Sequence, residues 1–464
     1  MHKLRAIAEA LRADEPALVS SLDFGPFVTQ GCGSGPAVII GDASEISLFN
    51  ATSGGGLEYR MSLLAHGGDI VVVRQRDHDF EDYLTSQPGM ADVTFLEIGR
   101  SRQTSIAHLA RMTPWVIDRL VRMAIMHGGL TLKAYITTGH IWRLAQQIGE
   151  VAQTPIHVCG PSPRLAQRAN DKLWFADLVH RVVGPAATPP TFFSYGPAAT
   201  AALVAQISRT AERLVVKVPD SAGSAGNIGL RRADIEGRSL SDVRGFLLDR
   251  LRGCGWADTY PVLVGVWDAD VVCSPSAQLW IPDISDGPPV CDGLFEQSVV
   301  GVEGRFVGAT RSSLPESTQA ALADQAVRLA GILQDIGYFG RCSLDAVIQR
   351  RGSGPDVIHW IECNGRWGGV STPLTALRSR WGTVPDGLVI TQANLPDVHL
   401  TTAEVLGRLE GLLPAPGEPG MMLTAPPRAS SGTLFSACAV AGSDDAAQAL
   451  IAEALARLRG AGPA

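Results

Sequence analysis

The sequence lacks cysteines at the short spacings that disulfide-rich and zinc-binding proteins need. No two of its cysteines form a CxxC pair, which argues against both a disulfide framework and a zinc ribbon. We therefore expect the protein to work in a reducing compartment. The eight cysteines are scattered over the chain: Cys32, Cys159, Cys254, Cys273, Cys291, Cys342, Cys363 and Cys438.

Long apolar runs and an excess of basic charge are also missing. No stretch approaches the roughly 18 apolar residues of a membrane span, and residues 2–22 predict a charged amphipathic helix instead of a signal peptide. The formal net charge of −7 gives no electrostatic footprint for nucleic acid or an anionic membrane. We expect a cytoplasmic protein whose partners are small molecules or peptides, with a homodimer left open.

Three common motifs of nucleotide-binding proteins and hydrolases are absent. The glycines at 31, 33 and 35 do not have the GxGxxG spacing of dinucleotide-binding folds, and the glycine-rich stretch at 221–226 does not match the Walker pattern GxxxxGK[ST]. The GxSxG elbow of serine hydrolases fails there too, because position 222 is Ala. Dinucleotide, P-loop and serine-hydrolase chemistry are therefore not supported.

The length and the pattern of apolar runs predict several domains. A chain of 464 residues is too long for one ordinary core, so we expect about two to four domains. In the first third, strand-like and helical stretches alternate, which predicts an open α/β layer. The predicted strands cover residues 37–40, 69–73, 93–98 and 155–159, and the predicted helices cover 114–127 and 141–148.

The strongest local signal lies between residues 340 and 369. Two apolar, strand-like runs, 343–348 and 357–363, flank a polar connection centred on Gly352-Ser353-Gly354. Glycine and serine supply the conformations that a tight turn needs. The stretch therefore predicts a β-hairpin.

A hairpin centred near Ser353 would bring three oxygen-bearing side chains together. In that register Asp345 falls opposite Glu362, and Asn364 shares the face of Glu362 because it follows two residues later on the same strand. Two carboxylates and an amide oxygen, without a Cys or His ligand, favour Mg²⁺ or Mn²⁺. Arg366 would look into the same site. A solvated hairpin face remains the alternative for the carboxylate pair alone.

A second informative stretch combines a lysine with small residues. The predicted strand 214–218 carries Lys217 and runs into a loop of Ser, Ala and Gly at 221–226. Such a loop lets backbone N–H groups approach a phosphate closely, and the lysine supplies positive charge. A tight turn beside a solvated lysine is the alternative interpretation.

Taken in chain order, these features resemble the ATP-grasp superfamily. The order is Lys172 at the start of a helix, Lys217 before the glycine-rich loop, an apolar strand, and then Asp345 followed by Glu362-Cys363-Asn364-Gly365-Arg366. The resemblance covers roughly residues 170–392. The segment Gly340-Arg341-x-Ser343-Leu344-Asp345 and residues 274–281 look like those of pheganomycin-type peptide ligases, which join a carboxylate to the amine of a peptide.

The resemblance implies a fold class of α/β and α+β with four parts. An N-terminal open α/β (pre-ATP-grasp) domain would cover residues 1–169. The small lobe of a two-lobed ATP-grasp fold, with the glycine-rich loop, would cover 170–268, and the large lobe with the metal site 269–395. A linker and a small C-terminal αβ appendage would complete the chain at 396–464.

The resemblance also implies roles for individual residues around ATP and Mg²⁺ (or Mn²⁺). Lys172 and Lys217 would contact the α- and β-phosphates. The flap over the γ-phosphate would include Ser221, Gly223, Ser224 and Gly226. The backbone of an adenine hinge would include Val264, Val266 and Trp267, and either Asp268 or Asp270 would hold the ribose. The metal ligands would be Asp345, Glu362 and Asn364, and Arg341 and Arg366 would face the transferred phosphoryl group.

The function implied is an ATP-dependent carboxylate–amine ligase that works through an acyl phosphate. Its substrates would be an amino acid or small acid and the amine of a peptide, in natural product biosynthesis. Two alternatives stay open at this point: a kinase that phosphorylates a small-molecule hydroxyl on the same fold, and a non-catalytic nucleotide-binding regulator.

Overall fold

The computed structural model describes residues 2–18, 24–46, 48–49, 56–99, 104–301, 304–350, 356–413 and 418–460. None of the helices in these ranges is long and apolar enough to cross a membrane. The described residues form three main β-sheets, of six, four and nine strands, with helices packed against them.

The first sheet is parallel and comes from the N-terminal third of the chain. Its order is β1-β7-β6-β2-β4-β5, and every residue of β2 and β4 is buried, as expected where helices cover both faces. The strands are β1 (Val28–Gln30), β2 (Ala37–Ile40), β4 (Ile70–Val73), β5 (Thr94–Glu97), β6 (Leu130–Ala134) and β7 (Ile156–Val158), with β3 (Leu48–Phe49) lying apart. The helices are α1 (His2–Asp14), α2 (His78–Thr85), α3 (Ile106–Met112), α4 (Pro114–His127), α5 (Gly139–Ala152) and α6 (Pro163–Ala169).

The predicted open α/β layer is confirmed, with two strands, β1 and β6, that were not predicted. The four predicted strands correspond to β2, β4, β5 and β7. Strand β6 lies between β7 and β2 in the middle of the sheet. It was missed because Thr131 and Lys133 interrupt its short apolar run.

The second sheet is antiparallel, with the order β11-β9-β12-β8. Alternate residues of its strands pack against α8 and α9 and form a separate apolar cluster. Strand β10 follows β9 in the chain but is not part of this sheet; it pairs in parallel with β3 of the N-terminal domain. The strands are β8 (Thr191–Ser194), β9 (Arg213–Lys217), β10 (Ser221–Ala222), β11 (Asn227–Arg231) and β12 (Val262–Val266), and the helices are α7 (Lys172–Val182), α8 (Pro197–Ile207) and α9 (Leu240–Gly253).

The third sheet has the order β13-β17-β14-β15-β16-β19-β21-β20, and β18 pairs with β17. All its pairs are antiparallel. The strands are β13 (Val271–Cys273), β14 (Pro275–Ile281), β15 (Val290–Val300), β16 (Arg305–Arg311), β17 (Gly340–Gln349), β18 (Val357–Asn364), β19 (Gly387–Leu395), β20 (Gly420–Leu423) and β21 (Thr433–Ala441). The helices are α10 (Glu316–Asp335), α11 (Ser371–Trp381), α12 (Thr402–Arg408) and α13 (Asp444–Leu458).

The C-terminal segment is more closely integrated than a linker and an appendage would be. All nine residues of β21 pair with β19, and all nine are buried. Strand β20, within the predicted linker, is also fully buried, while residues 414–417 of that linker lie outside the described part. An almost continuous apolar sequence buries both faces of β21, so the segment extends the large sheet.

Apolar packing fixes the N-terminal domain against the large sheet. One cluster contains Tyr59 and Phe80 of the N-terminal domain together with Phe295 and Phe435 of the large sheet. The small sheet, in contrast, has its own cluster. The space between these three parts contains the candidate site.

Candidate active site

The hairpin of β17 and β18 brings the predicted carboxylates together. Asp345 pairs with Glu362 across the two strands, and Ser343 pairs with Asn364. A bulge after Asp345 shifts the register of the rest of the hairpin. The predicted register is therefore confirmed at the site, whereas the predicted turn at 352–354 lies outside the described residues.

Asp345 is surrounded by neutral hydrogen-bond donors. Ser276 Oγ donates to its Oδ1 at 2.6 Å, and Asn364 Nδ2 donates to its Oδ2 at 2.9 Å. Gln278 Nε2 donates in turn to Ser276 Oγ at 2.9 Å. Burial, and then the negative charge of Glu362, raise the pKa of Asp345 to about 6. A cation at this carboxylate would therefore stabilise the ionised form that its surroundings disfavour.

Glu362 has a cationic environment instead. Lys172 Nζ lies 3.1 Å from its Oε2. Burial acts to raise the pKa of Glu362, but the positive charges of Lys172, Lys217 and Arg366 together hold it below its ordinary value. The pKa values of the two facing carboxylates thus shift in opposite directions, and Glu362 loses its proton at a lower pH than Asp345 does.

The two lysines approach Glu362 from different elements. Lys172 begins α7 directly after its N-cap residue, is buried, and donates from Nζ to Ser221 O at 3.1 Å and Ser221 Oγ at 3.2 Å. Lys217 ends β9 and lines the adjoining cavity. Burial lowers the pKa of Lys217 to about 8, against the opposing effect of Glu362. Lys172 does not line the cavity. Through its contacts with Glu362 and Ser221 it links the hairpin to the glycine-rich loop.

The glycine-rich loop divides into a structural part and a part that faces the cavity. Ser221 Oγ donates to Val218 O at 2.8 Å within the loop. Gly223 and Ser224 line the cavity, and both have left-handed backbone with φ of +61° and +63°. Ser224 Oγ donates to Gly304 O of the large lobe at 2.9 Å. The loop therefore closes one side of the cavity through Gly223 and Ser224.

Gly226 is expected to tolerate no side chain. A Cβ atom there would lie 2.7 Å from the Cβ and Oγ of Ser221 and 3.0 Å from the Cβ of Val218. We expect Gly226→Ala to lower the free energy of unfolding by about 1–3 kcal/mol, because the loop must shift to admit the methyl group. Denaturant unfolding measures this change.

The matched control for Gly226→Ala is Gly245→Ala. Gly245 lies in α9 and has open space around the position of a Cβ. Alanine should raise helix stability there by up to about 1 kcal/mol. Equal effects of the two substitutions would contradict the packing account of the loop.

The predicted adenine hinge is only partly placed at the cavity. Val266, Trp267 and Asp268 line it, but Val264 is fully buried in the core of the small sheet and pairs on both sides. The prediction that Val264 forms part of an adenine hinge is therefore corrected. Val264 lies in the core of the small sheet, on the central strand β12, and does not line the cavity. The N–H groups of Val266 and Trp267 donate to Pro190 O and Arg213 O, both at 3.0 Å. In this structure these backbone donors therefore bond the small sheet and not the cavity.

Asp268 is oriented by a buried histidine of the large sheet. His359 Nδ1 lies 2.8 Å from Asp268 Oδ2, and both side chains are buried. The contact runs from the large sheet to the end of the hinge. Asp270, the second candidate for the ribose, also lines the cavity and has φ of +55°.

The two predicted arginines lie in different places. Arg366 lines the cavity and donates to Asn364 Oδ1 and Asn170 Oδ1. Arg341 lines a neighbouring cavity, where it pairs with Asp292. Asp345 follows Arg341 by four positions on β17, about 13 Å of extended strand. The prediction that both arginines face one phosphoryl group is therefore corrected for Arg341.

The cavity at the site, called the central cavity below, has a volume of about 710 Å³. Asp345, Glu362 and Asn364 all line it. No cluster of three or more His, Cys, Asp or Glu side chains suited to a metal occurs in the described part of the chain. Two carboxylates nevertheless suit Mg²⁺, which commonly takes one or two of them together with phosphate oxygens. Asn364 could add its amide oxygen only by releasing Arg366.

Several residues that support the site were not predicted. Asn170 bridges to the hairpin end, because its Oδ1 accepts from Gly365 N at 3.2 Å and its Nδ2 donates to Gly365 O at 3.2 Å. Ser276, which donates to Asp345, and Gln278, which donates to Ser276, were also not predicted. Their alternation on β14 was the available signal, since polar residues at every second position of a buried strand share one face.

The family model that matches the chain describes a Pre ATP-grasp domain and covers residues 58–150. This range contains β4, β5, β6 and the helices between them. No curated protein sequence matches the chain significantly. The N-terminal prediction of a pre-ATP-grasp domain is confirmed.

Solved structures share the fold over about nine-tenths of the chain. Biotin carboxylase from Campylobacter jejuni, solved with β,γ-ATP, has a TM-score of 0.54 and 14% identity over 91% of each chain. The biotin carboxylase domain of Hydrogenobacter thermophilus 2-oxoglutarate carboxylase, solved with MgADP, ADP and bicarbonate, has a TM-score of 0.54 and 14% identity over 90% of this chain and 89% of its own.

A third solved structure extends the likeness to a different enzyme. N5-carboxyaminoimidazole synthase from Aspergillus clavatus, in complex with ADP and 5-aminoimidazole ribonucleotide, has a TM-score of 0.54 and 12% identity over 92% of this chain and 99% of its own. At these identities the likeness establishes the fold. The chain has an N-terminal pre-ATP-grasp domain followed by an ATP-grasp fold.

Proposed function

We propose that this protein is an ATP-dependent carboxylate–amine ligase that forms an amide bond through an acyl phosphate. The observation that carries the proposal is the pairing of Asp345 with Glu362 on the wall of the central cavity. Lys217 and Arg366 line the same cavity. Two carboxylates for a metal, beside two cations for phosphate, are what a triphosphate requires.

The nucleotide is proposed to lie between the glycine-rich loop and the hairpin. Lys217 would contact its phosphates, and the backbone at Gly223 and Ser224 would cover the γ-phosphate. Val266, Trp267 and Asp268 would adjoin the nucleoside end. Lys172 would act through Glu362 and Ser221, which it contacts directly.

Asp345 and Glu362 would hold Mg²⁺, with Asn364 as the third predicted ligand. Bound there, Mg²⁺ would neutralise phosphate charge during transfer. The protein contributes the cationic side chains of Lys217 and Arg366, which would lower the repulsion between the carboxylate substrate and the γ-phosphate.

The proposed reaction has two displacements. A carboxylate oxygen of the acid attacks the γ-phosphorus, and the bond to ADP breaks. The amine then attacks the acyl carbon, phosphate leaves, and the nitrogen loses a proton. An acyl phosphate hydrolyses readily, so the loop at Gly223 and Ser224 must exclude water before it forms. No side-chain nucleophile is required in this scheme.

The finer assignment is a ligase that joins an amino acid or small acid to a peptide amine, as in natural product biosynthesis. It is supported by the resemblance of the Gly340 to Asp345 segment to pheganomycin-type ligases. Bicarbonate is a further acid to consider, since it is named in the complex of the Hydrogenobacter domain.

Phosphate release tests the proposed function. The protein is incubated with ATP, Mg²⁺ and a panel of acids, bicarbonate included, with and without a panel of amines and short peptides. We expect phosphate only where an acid and an amine are both present, matched one to one by a condensation product in mass spectrometry. A stable phosphorylated product would indicate a kinase, and no turnover across the panel would indicate a nucleotide-binding regulator.

A further inference from the structure

A second cavity of about 440 Å³, called the side cavity below, lies between the N-terminal domain and the large sheet. Its lining includes Lys133 of the N-terminal domain and Arg341 and Trp280 of the large sheet. Trp367 lines both this cavity and the central one. The two cavities therefore adjoin at Trp367.

The side cavity continues the central cavity along one face of the large sheet. On β14, Ser276 and Gln278 line the central cavity, and Trp280, two residues further, lines the side cavity. On β17, Asp345 lines the central cavity and Arg341 the side cavity. Every second residue of a strand faces the same side, about 7 Å further along. The two cavities thus lie side by side along this face of the sheet, with Trp367 lining both.

The side cavity carries an excess of positive charge. Its lining contains three cationic side chains, Lys133, Arg341 and Arg380, and one acidic side chain, Asp292. Asp292 is already paired with Arg341 and with Arg378. No ion pair of Lys133 occurs within the described ranges. The cavity is therefore suited to an anion.

Two buried polar atoms in this lining have no hydrogen-bond partner among the described residues. They are Arg341 Nε and Thr375 Oγ1. The Arg341 side chain is only 9% exposed, and its guanidinium lies between the rings of Trp280 and Trp367, at 5.3 and 5.6 Å from their centroids. Buried polar groups normally make a hydrogen bond, so these two donors are available to a molecule bound in the cavity.

Most of the remaining wall is apolar, apart from His66 and Ser379, whose Nε2 and Oγ lie 3.0 Å apart. Its apolar residues include Leu63, Leu64, Trp280, Val290 and Trp367. A cavity with apolar walls and a few converging polar groups is typical of a small-molecule site. It fits a ligand that has both a carboxylate and an apolar side chain.

We propose that the side cavity binds the free carboxylate of the amine substrate, with Lys133 as its main anchor and Arg341 and Thr375 beside it. The substrate class is an amino acid or short peptide with an apolar C-terminal side chain. This assignment rests on the proposed ligase function, because the amine must then reach the acyl phosphate in the central cavity. The roughly 13 Å from Arg341 to Asp345 sets an upper length of about four residues for the peptide, at about 3.4 Å each.

Cys32 provides a probe of the side cavity that does not depend on catalysis. It lines the cavity and is exposed, with its sulfur 3.3 Å from that of Cys159. The hydrogen bond with Cys159 and the charge of Lys133 lower the pKa of Cys32 to about 7, against the effect of burial. Its thiolate will therefore react with alkylating reagents near neutral pH.

The experiment compares iodoacetate, an anionic carboxylate, with neutral iodoacetamide on the reduced full-length protein. Peptide mass spectrometry gives the ratio of the two rates at Cys32 and, for reference, at Cys254 outside the cavity. We expect the rate with iodoacetate, divided by the rate with iodoacetamide, to be higher at Cys32 than at Cys254. Lys133→Gln should lower this ratio at Cys32 about threefold to tenfold, because one nearby positive charge is lost. Any change in thiolate fraction affects both reagents and cancels in the ratio.

The matched control uses another of the four lysines in the chain. Lys3 is exposed on α1, so Lys3→Gln should leave the ratio at Cys32 unchanged. Equal ratios at Cys32 and Cys254, unaffected by Lys133→Gln, would overturn the anion site whether or not ligation is ever observed.

A protection experiment tests the substrate class. Dipeptides ending in Leu, Val or Phe, and their C-terminal amides, are added before alkylation with iodoacetamide. At least one free acid should slow labelling of Cys32, its amide should protect less, and Lys133→Gln should remove the difference. Equal protection by acids and amides, or protection by neither, would overturn the peptide assignment.

Discussion

Glu362→Gln should reduce ATP-dependent turnover by on the order of a thousandfold while the protein stays folded. Glutamine preserves the shape of Glu362 but removes the negative charge that faces Asp345 and the proposed metal site. Lys172 keeps its hydrogen bonds to Ser221, so we expect the melting temperature to change by only a few degrees. Phosphate release and thermal unfolding, measured on the same preparation, give the two quantities.

The control for this substitution is Glu236→Gln, the same change at an exposed position away from the central cavity. It should leave turnover unaltered. Turnover of Glu362→Gln close to that of the unsubstituted protein would contradict the metal assignment. A large loss of melting temperature would instead assign Glu362 a mainly structural role as the partner of Lys172.

Lys217→Met should weaken ATP binding by about tenfold to a hundredfold, because it removes a charged donor from the phosphate end of the cavity. The unsubstituted protein should also lose affinity as the pH rises above about 8, since the pKa of Lys217 is lowered to about 8 and the ammonium group then loses its proton. Calorimetric titration with ATP over a pH series measures both effects. In Lys217→Met this pH dependence should be absent.

The stability of the ATP-free protein should respond to pH in the opposite direction. The pKa of Lys217 is about 8 in the folded protein and near its ordinary 10.5 in the unfolded chain. Between these values the unfolded chain binds more protons, so the contribution of Lys217 to the free energy of unfolding rises with pH. Lys3→Met is the matched control, and an identical pH response in Lys217→Met and Lys3→Met would contradict the assignment.

The sequence predicted the parts of the site that depend on local pairing. The positions of Asp345, Glu362 and Asn364 follow from one hairpin register, which two apolar runs and a glycine-containing connection determine. The alternation of strands and helices likewise predicted the N-terminal layer. Local rules suffice where neighbouring segments of the chain pair with each other.

The features that the sequence did not predict depend on contacts between distant segments. Asn170 meets Gly365 across 195 residues, and Asp268 meets His359 across 91. Arg341 matched a family pattern, but its place in the side cavity is decided by Asp292 on β15, Trp280 on β14 and Trp367 after β18. The integration of β21 into the large sheet was hidden because a buried strand and an independent appendage share the same apolar pattern.

The acyl phosphate is tested most directly with an acid substrate labelled with ¹⁸O in its carboxylate. If the carboxylate attacks the γ-phosphorus and the amine then displaces phosphate, one ¹⁸O atom passes to the released phosphate for each amide bond formed. We expect this transfer with ATP, Mg²⁺, acid and amine present together, and its loss in Glu362→Gln. Amide formation with unlabelled phosphate, or with AMP and pyrophosphate as products, would contradict the proposed function.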